Sequence, residues 1–371
     1  MAAGLVCGCC LLAQSSDQAP KSASSATPVA KKKEAPASTP LSSPSTQALV
    51  DSLSDADLHQ AIDLLKANYF NPNALGDKEM VRATLAGLIA RLTPGASILQ
   101  TSAADATGTS PFRSEILDER IGYLRLGGLT KEAAGELDAA LKNFADKSLT
   151  SAVLDLRATP PSSDFAGAAE IIKRFASKGK TLFSIKKPGV KLDQVFTSDQ
   201  DPLFQGIMAV LVDRDDAGAA EVIAAVIRAQ TGALVIGETT RGEAVEYAEL
   251  PLHDGKILRI AEAQVMLPEN QAIYPQGVKP DLIVKLPEDA KRQIMAQSLK
   301  TGISPFVFEA EHPRMNEAAL VAGVNPELDE LEAVQAKKTE TKSPPRDTVL
   351  QRAVDFITTA GVYGAGPGLG R

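Results

Sequence analysis

A chain of 371 residues with 44% hydrophobic and 23% charged residues has the composition of a soluble globular protein. Its formal charge of −7 comes without a basic stripe, and 4% aromatics with no Trp offer no stacking platform, which excludes nucleic-acid binding as a main function. All three Cys stand at Cys7, Cys9 and Cys10, so the folded part holds no thiol nucleophile, disulfide or Cys-based zinc site, and His59, His253 and His312 are too scattered to seed a metal cluster. No cofactor and no metal are expected.

Residues 1–13 form an apolar run too short to span a bilayer and suited to a signal-peptide core. Val6-Cys7-Gly8-Cys9 is similar to a lipobox, with Cys9 as the lipidation candidate and Cys10 as the alternative. This predicts an exported protein, periplasmic or anchored to the membrane as a lipoprotein. Residues 14–46 are rich in Ala, Ser, Pro and Lys, a linker composition that buries too little apolar surface to order itself.

The span 47–98 is read as an amino-terminal helical region. One amphipathic helix runs from Asp55 to Tyr69 with Leu58, Ile62 and Leu65 on one face. A second starts at Asp77 and carries Val81, Leu85, Leu88 and Leu92. Both read as packing elements, and Leu92 to Ser97 reads as a turn.

A folded core is expected over 111–289. Ile116 to Leu126 reads as a hairpin, Thr130 caps a helix to Phe144, and Val153 to Arg157 is a buried strand. Phe165 to Phe175 is helical, Thr181 to Ile185 a strand, and Lys187-Pro188-Gly189 a turn into a strand from Val190 to Phe196. The central unit follows: strand Ile207 to Val212, helix Ala219 to Gln230 with Asp215 or Asp216 as N-cap, and strand Ala233 to Ile236. In open α/β sheets, chemistry gathers at the carboxyl ends of such strands. Glu246 to Leu252 and Lys256 to Ala261 form a second hairpin, 290–346 has no assignable pattern, and 347–371 holds a terminal helix at Leu350 to Ile357 and a Gly-rich tail.

Several of these stretches resemble the tail-specific (carboxy-terminal processing) serine proteases, peptidase family S41. Ile121-Gly122-Tyr123-Leu124-Arg125-Leu126 is similar to the family's I-G-Y-I-R-L strand, Leu154-Asp155-Leu156-Arg157 to its L-D-L-R, and Gly277-Val278-Lys279-Pro280-Asp281 to its closing G-I-x-P-D. The resemblance implies a mixed α/β core related to the ClpP and crotonase architectures. The family's usual peptide-binding PDZ insertion has no room between Leu99 and Arg113.

The resemblance also implies where catalysis would sit. Aligned on Glu221 and on Gly237-Glu238, the family's Ser nucleophile falls on Gly218, its Lys base on Glu243 and its Gln on Tyr247. The N-x-P-G-G segment that feeds the oxyanion hole is replaced by Ala158-Thr159-Pro160-Pro161-Ser162, where Pro161 has no N–H to donate. A glycine has no atom for a base to deprotonate. The implied function is therefore an inactive relative that binds a peptide, protein or lipophilic ligand in the cell envelope.

Two enzymatic alternatives remain open from sequence. One is a serine peptidase with a displaced dyad drawn from Ser162, Ser163 or Ser184 with Lys186 or Lys187, although lysines at a Pro-Gly turn are normally wet and charged. The other is a carboxylate hydrolase using Glu243, with Asp213, Asp215 and Asp216 converging beside it as an acid/base or cation site. The plainer reading makes those aspartates helix caps and makes Arg125 and Arg157 structural ion pairs at strand ends.

Overall fold

The computed structural model describes residues 45–100, 111–308 and 345–364. The expected leader, the lipidation candidate Cys9 and most of the linker lie outside those residues. The chain divides by contacts into Met1–Gly76 and Asp77–Arg371.

The first unit holds α1 (Thr46–Asp51) and α2 (Asp55–Asn68). Ser54 and Asp57 form a reciprocal capping box at the start of α2. No residue of α2 is buried, and Leu65 is 54% exposed, so the expectation of a packing role is not met.

In the second unit α3 (Asp77–Leu92) likewise buries nothing, and Val81, Leu85, Leu88 and Leu92 are exposed. Next comes β1 (Ala96–Gln100), a strand where a turn is expected, held because it pairs antiparallel with a distant partner, Gln100 opposite Lys256.

The central sheet contains β2 (Arg113–Leu117), β3 (Ile121–Arg125), β4 (Ser151–Asp155), β7 (Ile207–Val212), β8 (Leu234–Gly237) and β12 (Leu282–Ile283), in the order β12-β8-β7-β4-β3-β2. All neighbours are parallel except β2 and β3, which make the expected hairpin. Three helices provide the crossovers: α4 (Lys131–Asp146, capped by Thr130), α5 (Phe165–Lys173) and α6 (Ala219–Thr231).

The second sheet runs β1-β10-β5-β6, with β9 and β11 also pairing β10. Here β5 is Thr181–Lys186, β6 is Gln194–Thr197, β9 is Val245–Pro251, β10 is Lys256–Leu267 and β11 is Gln271–Ala272. Strand β6 starts at Gln194 rather than Val190, and β10 runs past Ala261 because β5 and β11 give its far half partners.

Side-chain alternation splits the core into two layers. Leu124, Leu154, Val210, Val212 and Val235 face α4–α6 and the second sheet. Tyr123, Val153, Ala209, Leu211 and Ile236 face the opposite way, towards α7 (Glu288–Thr301) and α8 (Thr348–Gly364). Helix α7 falls inside the segment that has no readable pattern, because its apolar stripe is thin and only Ile294 and Ser298 are buried. Helix α8 is longer at both ends than Leu350 to Ile357.

Candidate functional site

The β7–α6 turn sits at the carboxyl edge of the central sheet. Gly218 is the residue before α6, with φ +63° and ψ −115°, a conformation that L side chains rarely adopt. Its main chain is bridged in parallel to Ser162, whose carbonyl accepts from Ala219 N–H at 2.7 Å. A β-carbon at residue 218 would collide with the Ser162 carbonyl oxygen and would stand 3.1 Å from its carbon. The position therefore lacks a nucleophile and is closed to one by the chain entering from β4.

Glu221 organises the surroundings. Its buried carboxylate accepts from the N–H groups of Gly218 at 2.9 Å, Gly242 at 2.6 Å and Glu243 at 2.7 Å, and from the Thr240 hydroxyl. Thr240 in turn accepts from Val278 N–H at 2.8 Å. Burial raises the Glu221 carboxyl above its ordinary range, against the pull of these hydrogen bonds. One carboxylate thus ties the β7–α6 turn to the loop carrying Glu243.

Glu243, Tyr247, Pro161, Ser162 and Gly218 do come together, around a cavity of about 130 Å³ that Arg241 and Arg259 also line. The Arg259 guanidinium lies 3.8 Å above the Tyr247 ring, and the Tyr247 hydroxyl donates to Pro94 O at 3.2 Å. Burial, and then the charge of Glu243, raises the Tyr247 phenol to about 12. Arg259 escapes sequence reasoning because nothing in its own strand marks it, and only the β9–β10 pairing brings it over Tyr247.

The three aspartates converge, but away from Glu243 and not as caps of α6. Asp216 accepts from Asp213 N–H at 2.9 Å, and Asp213 accepts from Asp215 N–H at 2.9 Å, so they close a turn that ends before α6 begins. Lys291 of α7 reaches into the group, 2.5 Å from Asp213 and 2.9 Å from Asp215. Burial alone would lower that lysine, but its two carboxylate partners raise it. An ammonium fills the place where a cation would bind, and among the described residues no group of three or more His, Cys, Asp or Glu is placed to hold a metal.

Among the described residues no hydroxyl of Ser162, Ser163 or Ser184 is hydrogen-bonded to Lys186 or Lys187. Ser162 Oγ accepts from Asp164 N–H at 3.0 Å, Ser163 donates towards Val245 O at 3.5 Å, and Ser184 lies within the β5 ladder. Lys187 pairs with Glu262 at 2.8 Å. Lys186 lines a separate apolar cleft of about 680 Å³ beside Leu92, Val190, Val245, Ile260 and Tyr274.

Of the two strand arginines, Arg157 is the expected ion pair: it binds Asp155 at 2.7 Å and Asp347 at 2.8 Å, all buried. Arg125 is not. It donates to Ser298 Oγ at 2.8 Å and to the Met295 sulfur at 3.2 Å, because Tyr123 and Arg157 already occupy Asp155.

A largely parallel sheet with crossover helices, a second antiparallel sheet, and a candidate site at the carboxyl edge of the first define a mixed α/β fold. The family model for Peptidase family S41 matches residues 120–284, and over this part the chain is similar to the carboxy-terminal processing proteases. It is 28% identical over 179 residues to the carboxy-terminal processing protease CtpA of Bacillus subtilis (strain 168), covering 48% of this chain and 38% of that one. It is 30% identical over 173 residues to a CtpA-like serine protease of Staphylococcus aureus (strain COL), covering 46% and 34%. The chain thus spans well under half the length of these curated relatives. The solved photosystem II D1 C-terminal processing protease is similar over 53% of this chain and 50% of its own, at 22% identity and a TM-score of 0.39.

Proposed function

We propose that this protein is a non-cleaving member of its family, exported to the cell envelope, where it holds a peptide, protein or lipophilic ligand rather than hydrolysing one. The observation that carries this reading is the β7–α6 turn, where Gly218 offers no nucleophile and the Ser162 carbonyl stands in the way of any side chain. Glu243 at the aligned base position is an acid, and the nearby serines and lysines are committed elsewhere or apart. The 680 Å³ apolar cleft between β10 and the β5–β6 hairpin supports a binding role, being of a size that holds a ligand.

The test is a fluorophosphonate probe applied to the purified chain, alongside an unstructured polypeptide substrate. The expected result is no labelling and no cleavage. Labelling of Ser162, Ser163 or Ser184, with loss of cleavage on mutating that serine, would overturn the reading.

A further inference from the structure

We propose that the cavity bounded by the Pro161–Ser163 segment, Gly218 and strands β9 and β10 binds a small oxyanion, the carboxylate or phosphate group of a low-molecular-weight solute, with Arg259 as its anchor. The inference goes beyond the non-cleaving reading, since anion capture requires neither a nucleophile nor its loss.

Arg259 carries the argument. Its Nε is buried without a hydrogen-bond partner, and its guanidinium forms no ion pair or side-chain hydrogen bond with any described residue. Glu249 stands opposite it in the β9–β10 register yet leaves it unpaired. A half-buried guanidinium has lost part of its hydration, and shielded donors without acceptors are rare in native proteins. Its guanidinium carbon lies 3.8 Å from the centre of the Tyr247 ring, a contact that holds the group at the cavity wall in advance.

The rest of the wall suits the same ligand. Arg241 adds a second guanidinium, whose only ion pair among the described residues is a long one to Asp215 at 3.8 Å. Among the described residues the single carboxylate lining the cavity is Glu243, so two cations face one anion. Ser162 Oγ accepts from Asp164 N–H, which leaves its own hydrogen to donate. A cavity of about 130 Å³ has room for several waters, and so for acetate or phosphate.

The experiment is calorimetric titration of the full chain with sodium acetate and with sodium phosphate, using sodium chloride to hold ionic strength constant. Saturable one-site binding of acetate or phosphate is expected, and the preferred anion tells which chemistry the site favours. Arg259→Gln should weaken it at least roughly tenfold, the loss of a charge-assisted hydrogen bond. Glu243→Gln should tighten it by removing the opposing charge, a gain that misfolding cannot mimic. No saturable heat from either anion, unchanged affinity in R259Q, or no gain in E243Q would each overturn the proposal.

Discussion

The carbonyl oxygen of Ser162 occupies the space that a side chain on Gly218 would need. The two residues are joined as neighbouring strands are, so the obstruction is main chain and cannot rotate away. Restoring a hydroxyl at residue 218 therefore does not rebuild a serine peptidase. The Gly218→Ser, Glu243→Lys double variant is expected to stay unlabelled by fluorophosphonate and to cut nothing. Gly218→Ala should cost at least about 1–3 kcal/mol in urea unfolding, from the positive φ and the collision together. A double variant that labels would show that the loop yields.

Glu221 makes four hydrogen bonds with one carboxylate, three of them to backbone N–H groups from two segments. A glutamine has one acceptor oxygen and an amide that would point donors at donors. Glu221→Gln should lose roughly 1–3 kcal/mol for each buried N–H left unpaired. Urea unfolding measures the loss, and hydrogen exchange should localise it to Gly218, Gly242 and Glu243. Exchange unchanged at all three would contradict the role assigned to Glu221.

The parts legible in the sequence were those set by short-range pattern. Buried strands such as Ile207–Val212 announce themselves by apolar runs, and Thr130 by its place ahead of a periodic helix. What escaped depends on partners far along the chain. Strand β1 exists because β10 offers it an edge. Lys291 finds Asp213 across more than seventy residues, and Arg259 reaches Tyr247 only through strand pairing. The aspartates were misread as caps because sequence shows a favourable residue before a helix but not the extra turn it closes. Gly218 was legible as a missing hydroxyl, whereas its obstruction by Ser162 was not.

Asp155, Arg157 and Asp347 form a fully buried group that ties β4 to the start of α8, with Tyr123 donating to Asp155 at 2.7 Å. Burial alone would raise the Asp155 carboxyl, but the charge and hydrogen bonds of Arg157 outweigh it and hold the group below its ordinary value. A carboxyl depressed on folding adds stability that is present above the unfolded value and lost as pH falls through the folded one. Arg157→Met strands two buried carboxylates and should cost about 3–5 kcal/mol where they are ionised, a cost that shrinks as pH falls and they protonate. The triple variant with Asp155→Asn and Asp347→Asn should lose less than R157M alone, because no charge is left uncompensated. Unfolding curves for the two variants decide it, and a triple variant weaker than the single one would refute the account.

Asp216 has the opposite linkage. It is 1% exposed, its Oδ1 has no hydrogen-bond partner among the described residues, and burial followed by the charge of Asp213 raises its carboxyl well above the ordinary value. Lys291 pulls the other way but pairs directly with Asp213 and Asp215, and the charge of Asp155 adds to the rise. A carboxyl raised on folding contributes stability that is whole below the unfolded value and is lost as pH climbs through the folded one. Asp216→Asn keeps the acceptor for Asp213 N–H and removes the ionisation. The variant should therefore unfold at higher urea than the parent at the upper end of that window, and its stability should fall less as pH rises from the ordinary carboxyl range. Urea titrations at a series of pH values measure both slopes. Parallel slopes would mean that Asp216 is ionised throughout, with its charge carried by Lys291.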